Sequence, residues 1–387
     1  MGKIIVKTRV KSSIATIVAG IDHYNALGMI RSLGETGIPV YFIVKTEGDT
    51  FVEHSKYITE SFKITELTEI DNIIRQISTI YSNTIVFPVT DEMAIFFDSK
   101  MNGIYSNVIF PGANGKLYQF MDKSFSKKKA MDAGLLVPRG AIISMKNEKQ
   151  EWMEFPCILK PEQSIEGRKC DIEIAYNNTE LEKIISKYME LQYKNALVET
   201  YITGNEEYMI EIMGERSDKG ITLGPIIKKI REYPIKNGST AYAELVEHIP
   251  GLDMNLIKKY IDSTGYVGLF DVELKYADGS VYFIECNFRN GAPNNVLTKY
   301  GMNIPVLWIN EMLNADIEIK HHRKFKKVIV EQTDILNAIK GAINPFIWIG
   351  QFCSAKKVFW DMKDMQPCLY YYARMINLGI LRLRGKR

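Results

Sequence analysis

The pattern of apolar residues changes near Asp122, and this change limits the chain to a fold with two kinds of architecture. Before Asp122, apolar strand-like runs alternate with helical patterns over 14–20, 27–33, 40–44, 69–81 and 84–89. Strand, helix and strand at this spacing predict a parallel sheet. After Asp122 the pattern predicts antiparallel strands mixed with helices, so the expected fold class is α/β followed by α+β. A chain of 387 residues can form two or three such lobes.

The second part begins with a helix that has clear boundary signals. Asp122 is a candidate N-cap, and Gly134 followed by Pro138 is typical of a helix end. The pattern then predicts further elements in chain order: strands over 156–161, 196–202 and 207–213, a helix over 252–265, and a hairpin of 269–276 and 281–287.

Several classes of protein are excluded by motifs that the sequence lacks. The first strand ends in Gly20-Ile21-Asp22-His23, which lacks the G-x-G-x-x-G of a dinucleotide site. The five histidines form no Ser-His-Asp or Cys-His arrangement. The five cysteines form no C-x-x-C pair, as expected of reduced thiols rather than a disulfide framework or a zinc site. With no secretory signal at its start and no apolar run of ~18 residues, the protein is expected to be cytoplasmic.

The hairpin carries the most informative polar residues. Side chains two positions apart in a strand share a face, so Glu285, Asn287 and Arg289 point the same way. If Glu273 lies on that face too, carboxylate and amide oxygens converge, and such hard oxygen ligands suit Mg²⁺. The alternative is that Glu273 and Glu285 lie on a solvated sheet face and bind nothing.

The length of the turn decides whether Glu273 joins that face. A two-residue turn at Asp278-Gly279 would send Glu273 and Glu285 to opposite faces of the sheet. A three-residue loop that also includes Ala277, with Gly279 in a left-handed conformation, would align the two glutamates. We predict the three-residue loop.

Two lysines and a polar loop before the hairpin are candidates for binding phosphate. Lys160 stands inside an apolar strand, where a lysine is costly to bury without a partner. Lys123 near the helix start offers a second cation. The loop at 162–169 is either a cover over phosphates or an ordinary polar turn.

The segment 199–208 is an apolar strand that leads into a short linker. Its backbone can present donors and acceptors to an adenine edge, and the Glu207 carboxylate can bind ribose hydroxyls. The alternative is a plain strand, turn and strand with a solvated acid.

Taken in order, five segments resemble the ATP-grasp superfamily over about residues 12–310: MDKSFSKKKAMDAGLLVP, PCILKP, ALVETYITGNEEY, IREYPIKNGSTAY and LFDVELKYADGSVYFIECNFRNG. The resemblance implies an N-terminal parallel α/β lobe at 1–115 and a two-lobed ATP-grasp body. That body comprises a small lobe with a phosphate-covering loop at 116–195 and a large lobe with the metal hairpin at 196–318. A basic, aromatic C-terminal extension follows at 319–387.

The resemblance also implies roles for individual residues. The ATP phosphates would be bound by Lys123, Lys160 and the cover-loop residues Ser164, Gly167 and Lys169; adenine would be bound by Glu199, Tyr201 and Ile202, and ribose by Glu207. The Mg²⁺ ligands would be Glu273, Glu285 and Asn287, with Asp271 as a second choice. The transferring phosphoryl group or the carboxylate would be bound by Arg289 and Arg231. Gly238-Ser239-Thr240 resembles a loop that reaches the acceptor. The cover loop departs from the family in having Gly167 as its one glycine.

The implied activity is ligation of a carboxylate to an amine. ATP would phosphorylate the carboxylate, and an amine would capture the acylphosphate with release of phosphate. The stretch 25–40 and the IREYP segment are similar to carboxylate–amine ligases that include the bacterial D-aspartate ligases of cell-wall synthesis. The expected cofactors are ATP and two Mg²⁺ ions. The expected partners are a small-molecule carboxylate and an amine acceptor, with no nucleic acid.

Two other functions remain open at this point. One is a small-metabolite ligase or carboxylase that is unrelated to the cell envelope and uses the same ATP site. The other is a subunit that binds a nucleotide without catalysis.

Residues 340–387 differ in charge from the rest of the chain. They contain nine Lys/Arg and two acidic residues, a net charge of +7, whereas the whole chain carries +3. Aromatic residues lie between these cations. This composition favours either contact with an anionic membrane at its inner face, or packing on the body or on a second subunit of a homodimer.

Overall fold

The computed structural model describes residues 13–145, 152, 154–162, 171–235, 238–320 and 324–383. Within these residues the strands form three sheets. Three predicted site residues of the cover loop, Ser164, Gly167 and Lys169, lie outside the described residues.

The N-terminal lobe is a parallel five-stranded sheet in the order β3-β2-β1-β4-β5, as the strand–helix–strand pattern predicts. Its strands are β1 (Ile14–Gly20), β2 (Val40–Lys45), β3 (Ile58–Ile64), β4 (Asn83–Pro88) and β5 (Val108–Ile109). Its helices are α1 (Tyr24–Gly34), α2 (Ile70–Ser78) and α3 (Asp91–Phe96). Strands β1 and β4 are almost wholly buried, which explains their continuous apolar runs. Their carboxyl ends face the rest of the protein.

The small lobe is an antiparallel four-stranded sheet in the order β6-β9-β7-β8. Its elements are α4 (Lys123–Ala133), β6 (Gly140–Ser144), β7 (Cys157–Pro161), β8 (Glu173–Ala175), α5 (Asn178–Glu190) and β9 (Asn195–Thr200). The predicted boundaries of α4 are confirmed. The Asp122 side chain accepts hydrogen bonds from the backbone N–H groups of Ser124 and Phe125, and Gly134 ends the helix in the left-handed conformation.

The large lobe is a mainly antiparallel sheet in the order β15-β14-β10-β12-β13-β16-β17, with β11 paired to β10. Its strands are β10 (Glu207–Ser217), β11 (Gly220–Leu223), β12 (Ile226–Tyr233), β13 (Ser239–Val246), β14 (Gly268–Ala277), β15 (Ser280–Asn287), β16 (Lys327–Ile329) and β17 (Lys356–Lys357). Its helices are α6 (Met254–Thr264), α7 (Asn294–Tyr300) and α8 (Ile304–Leu313). Of the predicted acceptor loop Gly238-Ser239-Thr240, the last two residues begin strand β13.

The C-terminal region is part of the fold rather than an appended extension. Strands β16 and β17 complete the large sheet, and the remaining elements are α9 (Glu331–Ile339), α10 (Pro345–Ser354) and α11 (Gln366–Leu383). Phe359 and Cys368 are buried in the core that also contains α1, and Tyr371 packs against Phe51. Among the described residues, no helix is long and apolar enough to cross a membrane.

A buried ion pair joins this region to the N-terminal lobe. The Arg31 Nε atom lies 2.9 Å from Asp364 Oδ2, and both side chains are inaccessible to solvent. The Asp364 carboxylate also accepts hydrogen bonds from the Ser55 hydroxyl at 2.8 Å and from the Lys56 backbone N–H at 3.0 Å. Removing one partner of such a pair leaves a buried charge without compensation.

We therefore expect Asp364→Asn to lower the free energy of unfolding by ~3 kcal/mol. Thermal denaturation followed by circular dichroism should show a midpoint several degrees lower. The matched control is Asp262→Asn, which removes an ion pair with Arg216. The Asp262 side chain is 70% exposed, so this substitution should lower the free energy of unfolding by less than ~1 kcal/mol. Equal thermal midpoints for the two variants would contradict the assignment of Arg31 and Asp364 as a stabilising buried ion pair.

Candidate nucleotide and metal site

The turn of the metal hairpin differs from the predicted one. Ala277 pairs with Ser280, so the turn contains only Asp278 and Gly279. Both residues have positive φ, 44° at Asp278 and 88° at Gly279, as expected in a type I′ turn. The prediction of a three-residue loop was wrong.

A β-bulge restores the alignment that the short turn would have lost. The register shifts between Glu273 and Leu274, so that Ile284 is the extra residue on β15. As a result Glu273 lies opposite Glu285, and Asp271 lies opposite Asn287. The two glutamates share one face of the sheet, and the bulge at Ile284 is the reason.

A third strand adds a carboxylate to this face. Glu211 on β10 lies directly opposite Glu273 on β14, and its Oε2 accepts a hydrogen bond from the Thr240 hydroxyl at 2.7 Å. One ligand oxygen from each of Glu211, Asp271 and Glu273 lies within 4.8 Å of the other two. Glu211 could not be identified from the sequence, because nothing in its local pattern distinguishes it from a surface residue.

Asp271 is buried with an incomplete set of hydrogen bonds. Its side chain is 3% exposed, and its Oδ1 atom has no hydrogen-bond partner within the described part of the chain. Burial, reinforced by the negative charge of Glu211, raises the pKa of Asp271 well above its ordinary value. A buried carboxylate oxygen without a donor, beside two further carboxylates, fits a site for a hard divalent cation.

Lys229 balances part of this negative charge. It is buried on β12, and its ammonium lies 3.0 Å from Glu273 and 3.6 Å from Glu211. Burial alone would lower the pKa of Lys229, but Glu211, Glu273 and Glu232 raise it well above its ordinary value. Lys229 therefore remains charged beside the carboxylates.

Lys229, rather than the predicted Arg231, is the cation on β12 that contacts the carboxylates. The register of β12 against β13 shifts on both sides of Arg231, which turns the Arg231 side chain toward α9. There its guanidinium binds both carboxylate oxygens of Asp334, at 2.7 and 2.6 Å, and the Gln351 side chain at 2.8 Å. Arg231 still lines the neighbouring cavity, but it does not contact the carboxylate cluster.

The predicted adenine ligand Glu199 is bound by two lysines. It is buried on β9, with Lys160 at 3.1 Å and Lys127 in direct contact. Burial would raise the pKa of Glu199, but Lys160 and Lys127 hold it below its ordinary value. Burial also lowers the pKa of Lys127 to about 8. Lys127 was missed although it lies one helical turn after Lys123, a spacing that places both on one face of α4.

Lys123 and Arg289 approach the carboxylates from other elements. Burial lowers the pKa of Lys123, whose ammonium donates to the Pro161 carbonyl at 2.9 Å. Arg289 pairs with Asp91 at 2.8 Å and donates to the Asn287 amide oxygen at 3.1 Å. Asp91 belongs to the N-terminal lobe and was not predicted from the sequence. The site therefore draws on the N-terminal lobe as well as on the small and large lobes.

Two cavities meet at this cluster. The larger, of about 620 Å³, is lined by Lys160, Glu199, Tyr201, Ile202, Glu207 and Arg231 among others. The smaller, of about 510 Å³, is lined by Lys123, Asn287, Arg289, Asp91, Tyr24 and Thr90 among others. Lys229, Glu273 and Glu285 line both cavities. All predicted site residues that the structure describes lie along one cavity or the other.

A sequence model of a known domain family matches this part of the chain. The family is described as the ATP-grasp domain, and the match spans residues 128–291. This range contains the second half of α4, strands β6 to β9 of the small lobe, and the hairpin with its carboxylates. Residues 128–291 form an ATP-grasp domain. The resemblance read from the sequence is thereby confirmed at the level of the domain.

Curated relatives match the chain at low identity. The carbamoyl phosphate synthase large chain of Neisseria meningitidis is 22% identical over 234 residues, which is 58% of this chain and 21% of that protein. Cyanophycin synthetase of Trichormus variabilis is 25% identical over 157 residues, 38% of this chain and 16% of that protein. The matched part of the chain thus spans 21% and 16% of the length of these relatives.

Solved structures share the fold over most of the chain. The L-amino acid ligase from Bacillus licheniformis superimposes with a TM-score of 0.59 at 14% identity, covering 79% of this chain and 77% of that one. The N5-carboxyaminoimidazole synthetase from Staphylococcus aureus, complexed with ADP, gives a TM-score of 0.59 at 13% identity and covers 85% and 96%. These similarities establish the fold.

Proposed function

We propose that this protein is an ATP-dependent carboxylate–amine ligase. The observation that carries the proposal is that two cavities share Lys229, Glu273 and Glu285. A phosphoryl group held at these shared residues can pass from a nucleotide in one cavity to a carboxylate in the other. The catalytic demand of such a transfer is positioning and charge neutralisation, which metal ions and buried lysines provide.

The larger cavity is the proposed nucleotide site. Lys160 would bind phosphate oxygens, with the cover-loop residues Ser164, Gly167 and Lys169 assisting. Lys123 would reach the phosphates from the wall of the smaller cavity. The backbone at Tyr201 and Ile202 would contact adenine, and Glu207, now paired with Lys275 at 3.2 Å, would bind ribose. Glu199 acts indirectly, because its carboxylate holds Lys160 and Lys127 in place.

The carboxylate cluster is the proposed Mg²⁺ site. Glu273, Glu285 and Asn287 would bind the ions, with Asp271 and Glu211 available on the same face. Mg²⁺ bound there would neutralise charge on the ATP phosphates. Lys229 would then contact the transferring phosphoryl group, a role that we transfer from Arg231.

The smaller cavity is the proposed substrate site. Arg289 would bind the carboxylate, whose oxygen attacks the γ-phosphorus of ATP while the bond to the leaving oxygen of ADP breaks. The amine then attacks the acyl carbon, the bond to phosphate breaks, and a proton leaves the nitrogen. The products are an amide, ADP and phosphate.

We propose an amino acid as the carboxylate substrate. The opposite charges of Arg289 and Asp91, 2.8 Å apart on the cavity wall, match the carboxylate and ammonium of an amino acid. Similarity to D-aspartate ligases in the stretch 25–40, which includes the cavity residue Asn25, supports the same class. A precursor of the cell wall or of a surface polysaccharide is the proposed amine acceptor, reached through peripheral contact of the C-terminal region with an anionic membrane.

A screen for phosphate release tests this function. Purified protein with ATP and Mg²⁺ is incubated with single amino acids, with and without amine acceptors, and inorganic phosphate is measured. We expect release that requires Mg²⁺ and one amino acid, and mass spectrometry should detect the corresponding amide. Release with bicarbonate in place of an amino acid would instead identify a carboxylase. Tight ATP binding with no release under any condition would indicate a nucleotide-binding subunit.

A further inference from the structure

Helix α10 presents large apolar side chains that are more than half exposed. The helix begins at Pro345, and Asn344 caps it by accepting a hydrogen bond from the Phe346 backbone N–H. Phe346 is 84% exposed, Ile347 57% and Ile349 52%. Three large apolar side chains at this exposure on one helix are typical of a surface that binds a partner.

The opposite face of α10 reaches the candidate active site. Trp348 and Phe352 pack on Tyr242 and Ile329 of the large sheet. The Trp348 indole N–H donates to Asp334 at 3.1 Å, and the Gln351 side chain accepts a hydrogen bond from Arg231 at 2.8 Å. Since Arg231 lines the nucleotide cavity, α10 is one contact away from that cavity.

The chain near α10 also borders the mouth of the same cavity. Ala342, three residues before the helix, lines the nucleotide cavity beside Ile235 and Gly238. A surface that covers the exposed face of α10 would therefore lie next to the cavity entrance.

The charge around α10 identifies the class of partner. Between Asp334 and Asp361 the chain has no acidic residue and three lysines, Lys340, Lys356 and Lys357. Lys340 precedes the helix, and the Lys357 ammonium lies 4.7 Å from the Phe352 ring centre at its other end. Apolar side chains bordered by lysines suit an anionic lipid surface. In a two-fold dimer through this face, the same lysines would lie opposite one another, and the repulsion of their like charges would disfavour the dimer.

We infer that α10 docks on an anionic lipid surface and that this contact regulates the nucleotide cavity through Asp334. This inference rests on the proposed function, because it assigns the regulation of the same site. Lipid contact with Phe346 and Ile347 moves α10, and Trp348 and Gln351 move with it. The ion pair between Asp334 and Arg231 then weakens, and the Arg231 guanidinium turns toward the phosphate end of the nucleotide cavity.

Vesicle sedimentation tests the docking step without any catalysis. The full chain is mixed with vesicles of phosphatidylglycerol and phosphatidylcholine, or of phosphatidylcholine alone. We expect binding to the anionic vesicles, and at least ~10-fold weaker binding by Phe346→Ser/Ile347→Ser. The matched control is Ile80→Ser/Ile104→Ser, which removes two exposed isoleucines of the N-terminal lobe and should bind like the parent protein. No sedimentation of the parent protein would overturn the proposal, and so would dimerisation that Phe346→Ser/Ile347→Ser abolishes.

Titration with a fluorescent ATP analogue tests the regulatory step. We expect anionic vesicles to lower the Kd of the analogue about fivefold, with no effect on Phe346→Ser/Ile347→Ser. Asp334→Asn should give the lower Kd without vesicles and show no further change on adding them. Trp348→Phe, which removes one hydrogen bond to Asp334, provides the same test with a smaller structural change. A Kd that vesicles leave unchanged would refute the regulation, whereas phosphate release without vesicles tests the proposed function separately.

Discussion

Replacing Glu285 with Gln is expected to abolish ATP-dependent phosphate release, with a loss of at least ~10³-fold in kcat. Glu285 lines both cavities and lies opposite Glu273 across the bulged hairpin. The amide keeps the shape of the side chain but loses the charge that holds Mg²⁺ against the phosphates. Initial rates of phosphate release at saturating ATP, over a range of Mg²⁺ concentrations, measure the effect.

Stability separates this loss from misfolding. Because Glu285 belongs to a cluster of negative charges, neutralising it should leave the thermal midpoint unchanged or raise it. The control is Glu244→Gln on β13, which breaks a 2.8 Å ion pair with Lys327 on β16 and should retain parental turnover. Unchanged turnover in Glu285→Gln would overturn the assignment of the metal site.

The second large effect is expected for Lys160→Met, which should raise the Kd for ATP by ~10–100-fold. Lys160 is the buried cation on the wall of the nucleotide cavity, and hydrogen bonds from an ammonium to phosphate are charge-assisted. Methionine keeps most of the apolar stem, so the packing of β7 should survive. Isothermal titration calorimetry with a non-hydrolysable ATP analogue measures the change.

Lys127→Met is the matched control for Lys160→Met. Both lysines bind the same carboxylate, Glu199, but only Lys160 lines the nucleotide cavity. Each variant leaves Glu199 with one cation fewer, so both should lower the thermal midpoint to a similar extent. Only Lys160→Met should weaken ATP binding beyond what that shared destabilisation causes. Equal affinities in the two variants would show that Lys160 acts on Glu199 alone.

Much of the fold could be predicted from local patterns. Helix α4 is an example, because Asp122 and Gly134 act on backbone groups within a few residues of themselves. The parallel N-terminal sheet follows equally from the spacing of its strands. The order of lysines, glutamates and arginine along the ATP-grasp segments also placed the candidate site residues on the walls of two cavities.

The C-terminal region could not be predicted in this way. Its charge and aromatic content suggested an extension, yet β16 and β17 belong to the large sheet and Asp364 is buried against Arg31. Composition does not reveal a partner more than 300 residues away in the chain. The prediction that these residues contact a membrane is now restricted to α10.

By itself, the sequence indicated the parallel N-terminal sheet, helix α4, the hairpin, and candidate site residues that line the two cavities. The tertiary structure alone decided that Ile284 bulges so that Glu273 meets Glu285, and that Lys229 rather than Arg231 faces them. The physical reason is that side-chain direction in a strand depends on register, and one extra residue reverses it. Register is set by packing across the whole sheet, and no local pattern contains that information.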